Sequence, residues 1–224
     1  MITDETKRKL RELRLTAMAE ALEIQEQNPD YQGMSFDDRF QLIVDGAYDN
    51  QQSNRLTRLI RQANFSTHEP CVSDIDYRED RQLDRNLILS LATGNYIKES
   101  HNIILKGAAG CGKTWMAIAL GTEACQQFYK VKYLRLPELL DDLAVAKHEA
   151  NGDFRKIIER YKKVNLLIID EWMLTPINDE QAQIILELVE CQERCFHALI
   201  FRNIFVFFSR ILIQLISFLF SFLS

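Results

Sequence analysis

Along the first third of the chain, apolar residues recur every three or four positions, the period of an amphipathic helix. Leu10, Leu13, Ala17, Ala21 and Ile24 form one such stripe. It predicts a single helix running from a cap at Thr3 to a stop at Asn28-Pro29. Ser35-Phe36-Asp37-Asp38 reads as a capping box that opens a second helix, with Phe36, Phe40, Ile43, Val44 and Ala47 as its buried side. A third helical stretch follows through Leu56, Leu59 and Ile60. Residues 64–82 carry Asn, Ser, Thr, Pro and several Asp and read as a linker, and residues 83–92 read as a short apolar helix ended near Gly94.

Beyond Gly94 the pattern changes to short apolar runs alternating with helical stretches. Ile103, Ile104 and Leu105 form a strand-length run, followed by a glycine-rich turn and the helical residues 115–120. Residues 131–135 are a strand candidate, and Pro137 introduces a helix over 138–149. After a turn at 151–153, residues 154–163 suit a helix with Phe154, Ile157, Ile158 and Tyr161 on its inner side. After Asn165, residues 166–169 are apolar without alternation up to Asp170, as expected of a central parallel strand buried on both faces. A loop at 172–176 leads to a helix from 178 to about 194. Strand, loop and helix repeated in this order predict an α/β fold with a parallel sheet flanked by helices, preceded by a small all-helical N-terminal domain.

The turn between the first strand and its helix carries the candidate chemistry. Gly107, Ala108, Ala109, Gly110, Cys111, Gly112, Lys113 and Thr114 match G-x-x-x-x-G-K-[ST], the phosphate-binding P-loop, in the strand-to-helix context the motif requires. A triphosphate concentrates negative charge, so backbone N–H groups must approach it closely, and glycine leaves no Cβ in the way. The following helix presents its unpaired amides and positive dipole end to the same anion. Lys113 is expected at the β- and γ-phosphates and the Thr114 hydroxyl on Mg²⁺. Asp170 ends the buried strand at the sheet edge where ligands bind in open α/β folds, and is expected to hold Mg²⁺. Glu171 is expected to orient and deprotonate an attacking water. The acid pair favours hydrolysis of ATP over phosphoryl transfer to a small acceptor, so a small-molecule kinase is disfavoured.

Charge and composition narrow the picture. The 224 residues carry a formal net charge of −5, so any nucleic-acid surface must be a local patch on an acidic protein. Two basic groups qualify: Lys7, Arg8, Lys9, Arg11 and Arg14 near the start, and Arg55, Arg58 and Arg61 spaced three apart along one helix face. From composition each reads either as a solvated helix face or as a set of DNA phosphate contacts. The five cysteines lack the spacing of a metal site, which points to reduced thiols in a cytoplasmic protein, and the N-terminus lacks the apolar core of a signal peptide.

From residue 196 to 224 there is no acidic residue, and eight of the chain's 13 phenylalanines fall there, so the segment does not continue the preceding pattern. Three readings are open. Residues 203–224 are long enough for a membrane anchor, although Arg210 and Gln214 are costly inside one. The coding frame has slipped. Or the segment is a buried strand or helix that completes the sheet.

Residues 10–194 resemble the IstB-like ATP-binding proteins, helper ATPases of insertion-sequence transposition related to the DnaC-type helicase loaders of the AAA+ class. The resemblance rests on Leu15-Thr16-Ala17-Met18-Ala19-Glu20-Ala21-Leu22, the helix from Ser35, the arginine-bearing helix leading to Ala63-Asn64-Phe65, the P-loop followed by Ala117-Ile118-Ala119-Leu120-Gly121, and Leu167-Ile168-Ile169-Asp170-Glu171-Trp172. It implies a helical DNA-binding domain over 1–63, a linker over 64–82 and an AAA+ core over 83–197. It further implies double-stranded DNA and the transposase of the same element as partners, and a homo-oligomer on DNA. It favours Arg55, Arg58 and Arg61 as DNA contacts. Family members continue into a sensor strand, an arginine that completes a neighbour's active site, and a helical lid. None is recognisable after residue 198, which favours the frame-slip reading of an aberrant 198–224 tail and impaired hydrolysis. A DnaC-like helicase loader and a membrane-tethered nucleotide-binding protein are the alternatives.

Overall fold

The computed structural model describes residues 3–67, 70–78, 83–148, 153–161, 163–171, 177–194 and 198–202. The chain divides into two compact units, residues 1–58 and 59–224. The division falls inside a helix, so the last turn of that helix and the segment after it belong to the second unit.

In the first unit, α1 (Asp4–Glu12) opens on Thr3, whose side chain accepts from the Thr6 amide. The single N-terminal helix expected from the apolar stripe is in fact two. Arg14 takes the left-handed conformation at φ 63°, and α2 (Thr16–Gln27) turns back beside α1. Lys7 pairs with Glu26 and Arg11 with Glu23. Numbers rising on one helix while falling on the other mark an antiparallel hairpin. Side-by-side packing of the two helices competes successfully with continuation of one. The basic residues of α1 are thereby largely matched, since Arg8 and Lys9 also face Glu12 and Glu5.

The next two expected helices are one, α3 (Phe36–Ala63), 28 residues long. Ser35 Oγ accepts from the Asp38 amide at 3.2 Å, the capping contact foreseen at its start. No proline interrupts it, and Gly46 sits in open space. The expected buried side is only partly so. Ile43 is buried, but Phe36 and Phe40 are 68% and 48% exposed and stack on each other with ring centroids 5.8 Å apart.

The second unit is built on a four-stranded parallel sheet of β1 (Ile103–Leu105), β2 (Val131–Arg135), β3 (Leu166–Asp170) and β4 (Ala198–Arg202), in the order β1-β4-β3-β2. Leu166 to Ile169 are fully buried, which accounts for a strand without alternation, each such side chain contributing about 1.5–3 kcal/mol by leaving water. Around the sheet lie α4 (Arg85–Ala92), α5 (Asn95–Lys98), α6 (Lys113–Gln126), α7 (Leu136–His148), α8 (Asp153–Tyr161) and α9 (Asp179–Arg194). Leu139, Leu143, Ile158, Leu167, Ile169 and Ile185 form one core beneath α7, α8 and α9. The connection after α3 is irregular, as expected, yet Val72 and Ile75 are buried in it, and its short turn at Val72–Asp74 packs on α6.

β4 corrects one expectation. The sheet is not a strand short after residue 197, because Ala198–Arg202 pairs with β1 on one side and β3 on the other. The short apolar run at the composition change supplies a central strand, so the reading in which the segment completes the sheet describes these five residues. Residues 203–224, for which an anchor or a lost lid came into question, lie outside the described residues. No helix among the described residues is long and apolar enough to cross a membrane.

Candidate functional site

All four strands run parallel, so their C-terminal ends share one edge of the sheet. β1 leads into the glycine loop and β3 into the acid pair. With β4 between them, the two strands lie two strand spacings apart, about 10 Å. The topology thus brings the loop and Asp170 to the same edge.

The loop folds as its residue types require. Gly110 and Gly112 take left-handed backbone at φ 75° and 89°, a region where a Cβ is strained. Nothing lies within 4 Å of where a Cβ on Gly110 would sit, so the loop opens outward there. α6 starts directly after Gly112, and no side chain caps its first amides, which leaves these donors for another acceptor.

Lys113 curls back into the loop. Its Nζ donates to the Gly107 carbonyl at 2.8 Å and to the Ala108 carbonyl, and lies 3.6 Å from Cys111 Sγ. Lys113 is only 8% exposed, and none of its partners among the described residues is an acid. A buried cation held by neutral acceptors lacks a counter-charge, and the cost of burying it falls when an anion arrives. The donor set therefore fits a phosphate group. Thr114 follows Lys113 in the first turn of α6 and is half-buried.

At the end of β3, Asp170 is 3% exposed. Its Oδ2 accepts from the Tyr133 hydroxyl at 2.6 Å and its Oδ1 from the Glu171 amide at 2.6 Å. A buried carboxylate at the same sheet edge as a threonine-bearing helix start is also the oxygen chemistry a hard divalent cation selects. Glu171 sits in the left-handed region at φ 57°, a conformation that costs a non-glycine residue of order 1 kcal/mol. Its Oε1 accepts from Arg135 Nη2 at 2.6 Å, and Arg135 Nη1 donates to Glu138 at 2.7 Å. The hydrogen bond to Glu171, followed by that to Glu138, raises the Arg135 pKa further above its ordinary value.

Sequence reasoning missed Tyr133 and Arg135. Both lie on β2, and the register that sets Arg135 beside Asp170 becomes visible only when the sheet is assembled. The arginines expected at DNA, Arg55, Arg58 and Arg61, are all exposed on the last turns of α3.

Comparison with known proteins agrees with this architecture. Residues 8–200 match the profile of the IstB-like ATP binding protein family. The ATP-binding protein of insertion sequence IS1162 from Pseudomonas fluorescens is 40% identical over 190 residues, covering 85% of this chain and 81% of the relative. Among solved structures, the DnaC helicase loader superposes with a TM-score of 0.51 at 17% identity, covering 72% of this chain and 87% of that one. A DNA replication initiation factor superposes with a TM-score of 0.58 at 18% identity, covering 70% of this chain and 49% of the other. At these identities the structural likeness establishes the AAA+ fold.

Proposed function

The chain belongs to the IstB-like ATP binding protein family, and on that premise we propose that it binds Mg-ATP in the loop ahead of α6 and serves as a helper ATPase on DNA in insertion-sequence transposition. The observation that carries the nucleotide reading is Lys113, buried in its loop with no acidic partner among the described residues. In binding ATP, Lys113 exchanges carbonyl partners for phosphate oxygens, and the amides of residues 107–114 line the phosphates. Thr114 and Asp170 would hold Mg²⁺, which when bound would supply neutralisation of the charge that develops on the transferred phosphoryl group. Glu171 accepts the proton of the attacking water once its carboxylate is released from Arg135.

Hydrolysis by the isolated chain is slow on this reading, for two reasons. Glu171 is held in an ion pair, and AAA+ hydrolysis draws on an arginine from a neighbouring copy, a contribution of about 10³–10⁵ in rate for arginine fingers generally. The tail from 203 to 224 carries a single charged residue, Arg210. Duplex DNA is engaged by Arg55, Arg58 and Arg61, and the partner is the transposase of the same element. The 40% identity to an insertion-sequence ATP-binding protein supports transposition over helicase loading, for which the support is fold alone. Steady-state phosphate release is the test. A slow rate abolished by Glu171→Gln is expected, whereas brisk turnover by the isolated chain contradicts the proposed impairment.

A further inference from the structure

A concave groove of about 860 Å³ runs along β2, one of the two edge strands of the sheet among the described residues. It is lined by residues of the second unit alone. Five basic side chains face it against two acidic ones, Glu138 and Asp142, on a chain whose net charge is −5. Arg135 is already engaged with Glu171 and Glu138. The other four, Lys130, Lys132, Arg160 and Lys163, form no ion pair among the described residues. Lys132 is half-buried, and its Nζ reaches only the Gln62 carbonyl, at 3.5 Å. Burial, and after it the charge of Arg160, lowers its pKa. Cations gathered from β2, α8 and the two turns flanking them outnumber the two acids of the lining, Glu138 and Asp142, and form no ion pair with them, so the groove is left with a net positive charge that an entering anion would offset.

We propose that this groove binds the sugar-phosphate backbone of a single nucleic acid strand, with Lys130, Lys132, Arg160 and Lys163 as phosphate contacts. The inference rests on the reading that the chain works on DNA, and it adds contacts in the second unit to those proposed for the α3 arginines. A concave groove that recesses a half-buried lysine favours a single backbone, whose phosphates can follow it into the recess, over a duplex, which presents its phosphates on a convex surface. An acidic peptide fits less well, because adding a strand to β2 needs a clear edge and residues 62–66 line the same groove. Phe65, half-buried in the lining, offers a ring on which a base stacks. Because Arg135 belongs to both the groove and the Glu171 pair, a strand in the groove lies next to the hydrolytic glutamate.

The test is anisotropy of labelled oligo-dT and of a labelled duplex with the full chain, over a range of salt. The site predicts that Lys132→Glu with Arg160→Glu weakens oligo-dT at least tenfold and lowers the salt slope by about 0.7 for each phosphate no longer neutralised. Lys130→Gln with Lys163→Gln, at exposed positions, should weaken it in the same direction, with an unchanged urea midpoint certifying the fold. Arg58→Glu should lower duplex affinity and spare oligo-dT. If Arg58→Glu weakens the duplex while both groove variants bind oligo-dT like the parent, the groove proposal is overturned and the DNA reading stands. If the parent binds neither DNA, both fail. Equal loss of duplex and oligo-dT in the groove variants, or displacement of oligo-dT by polyglutamate at equal charge, also overturns the single-strand assignment.

Discussion

Arg135 holds Glu171 by a 2.6 Å hydrogen bond from Nη2 to Oε1, so the carboxylate proposed as the hydrolytic base is ion-paired. Glu138 offers the same guanidinium a second acid at 2.7 Å. A carboxylate oxygen occupied by a guanidinium N–H must give up that hydrogen bond before it can accept a proton from water. Arg135→Ala is therefore expected to raise basal phosphate release several-fold, and Arg135→Ala with Glu171→Gln to abolish it. An unchanged or lower rate in the single variant would show that Arg135 does not restrain the base.

Tyr133 on β2 anchors Asp170 on β3 through a buried bond of 2.6 Å. Removing the donor from a charged, buried acceptor costs about 1.5–3 kcal/mol. Tyr133→Phe should lower the urea unfolding free energy by that amount and weaken the dependence of nucleotide affinity on Mg²⁺. Full retention of both would mean that the bond neither stabilises nor orients Asp170.

Gly121, in the middle of α6, leaves no room for a side chain between the helix and its neighbours on β3 and at Phe65. A Cβ there would meet Ile168 Cδ1 at 2.8 Å and Phe65 Cε1 at 2.9 Å. Gly121→Ala gains about 1 kcal/mol of helix propensity but overpacks a closed core, at a cost of about 1–3 kcal/mol. Net destabilisation is expected, read from the unfolding midpoint; a stabilised variant would show that Ile168 and Phe65 move aside freely.

The α3 arginines are tested by charge reversal. Arg55→Glu, Arg58→Glu and Arg61→Glu together should weaken duplex DNA and reduce the salt slope by about 0.9 for each phosphate released from its arginine. An unaltered slope makes the stripe a solvated face.

The ATPase unit was readable in the sequence where a motif and a periodicity coincide. The loop 107–114 joins β1 to the start of α6, the apolar run ending in Asp170 is β3, and the strand candidate at residues 131–135 is β2. Pairings that depend on sheet register were not readable. Tyr133 with Asp170 and Arg135 with Glu171 join residues 36 or 37 positions apart, and neither strand alone specifies its alignment with the other. β4 was obscured because its short apolar run merges into the phenylalanine-rich segment that follows it. At the N-terminus the stripe through Leu10, Leu13 and Ala17 continued past Arg14, where a left-handed residue reverses the chain; periodicity does not register a reversal that preserves its phase.

The account rests most heavily on a buried lysine that lacks an acidic partner among the described residues and therefore accepts phosphate. Calorimetric titration of the full chain with ATP, in the presence of Mg²⁺ and again in EDTA, measures this directly. Saturable binding at one site per chain is predicted, weakened by EDTA and reduced at least tenfold by Lys113→Ala while the unfolding midpoint without nucleotide is retained. Absence of saturable binding by the folded parent chain, or equal affinity in the Lys113→Ala variant, would contradict it.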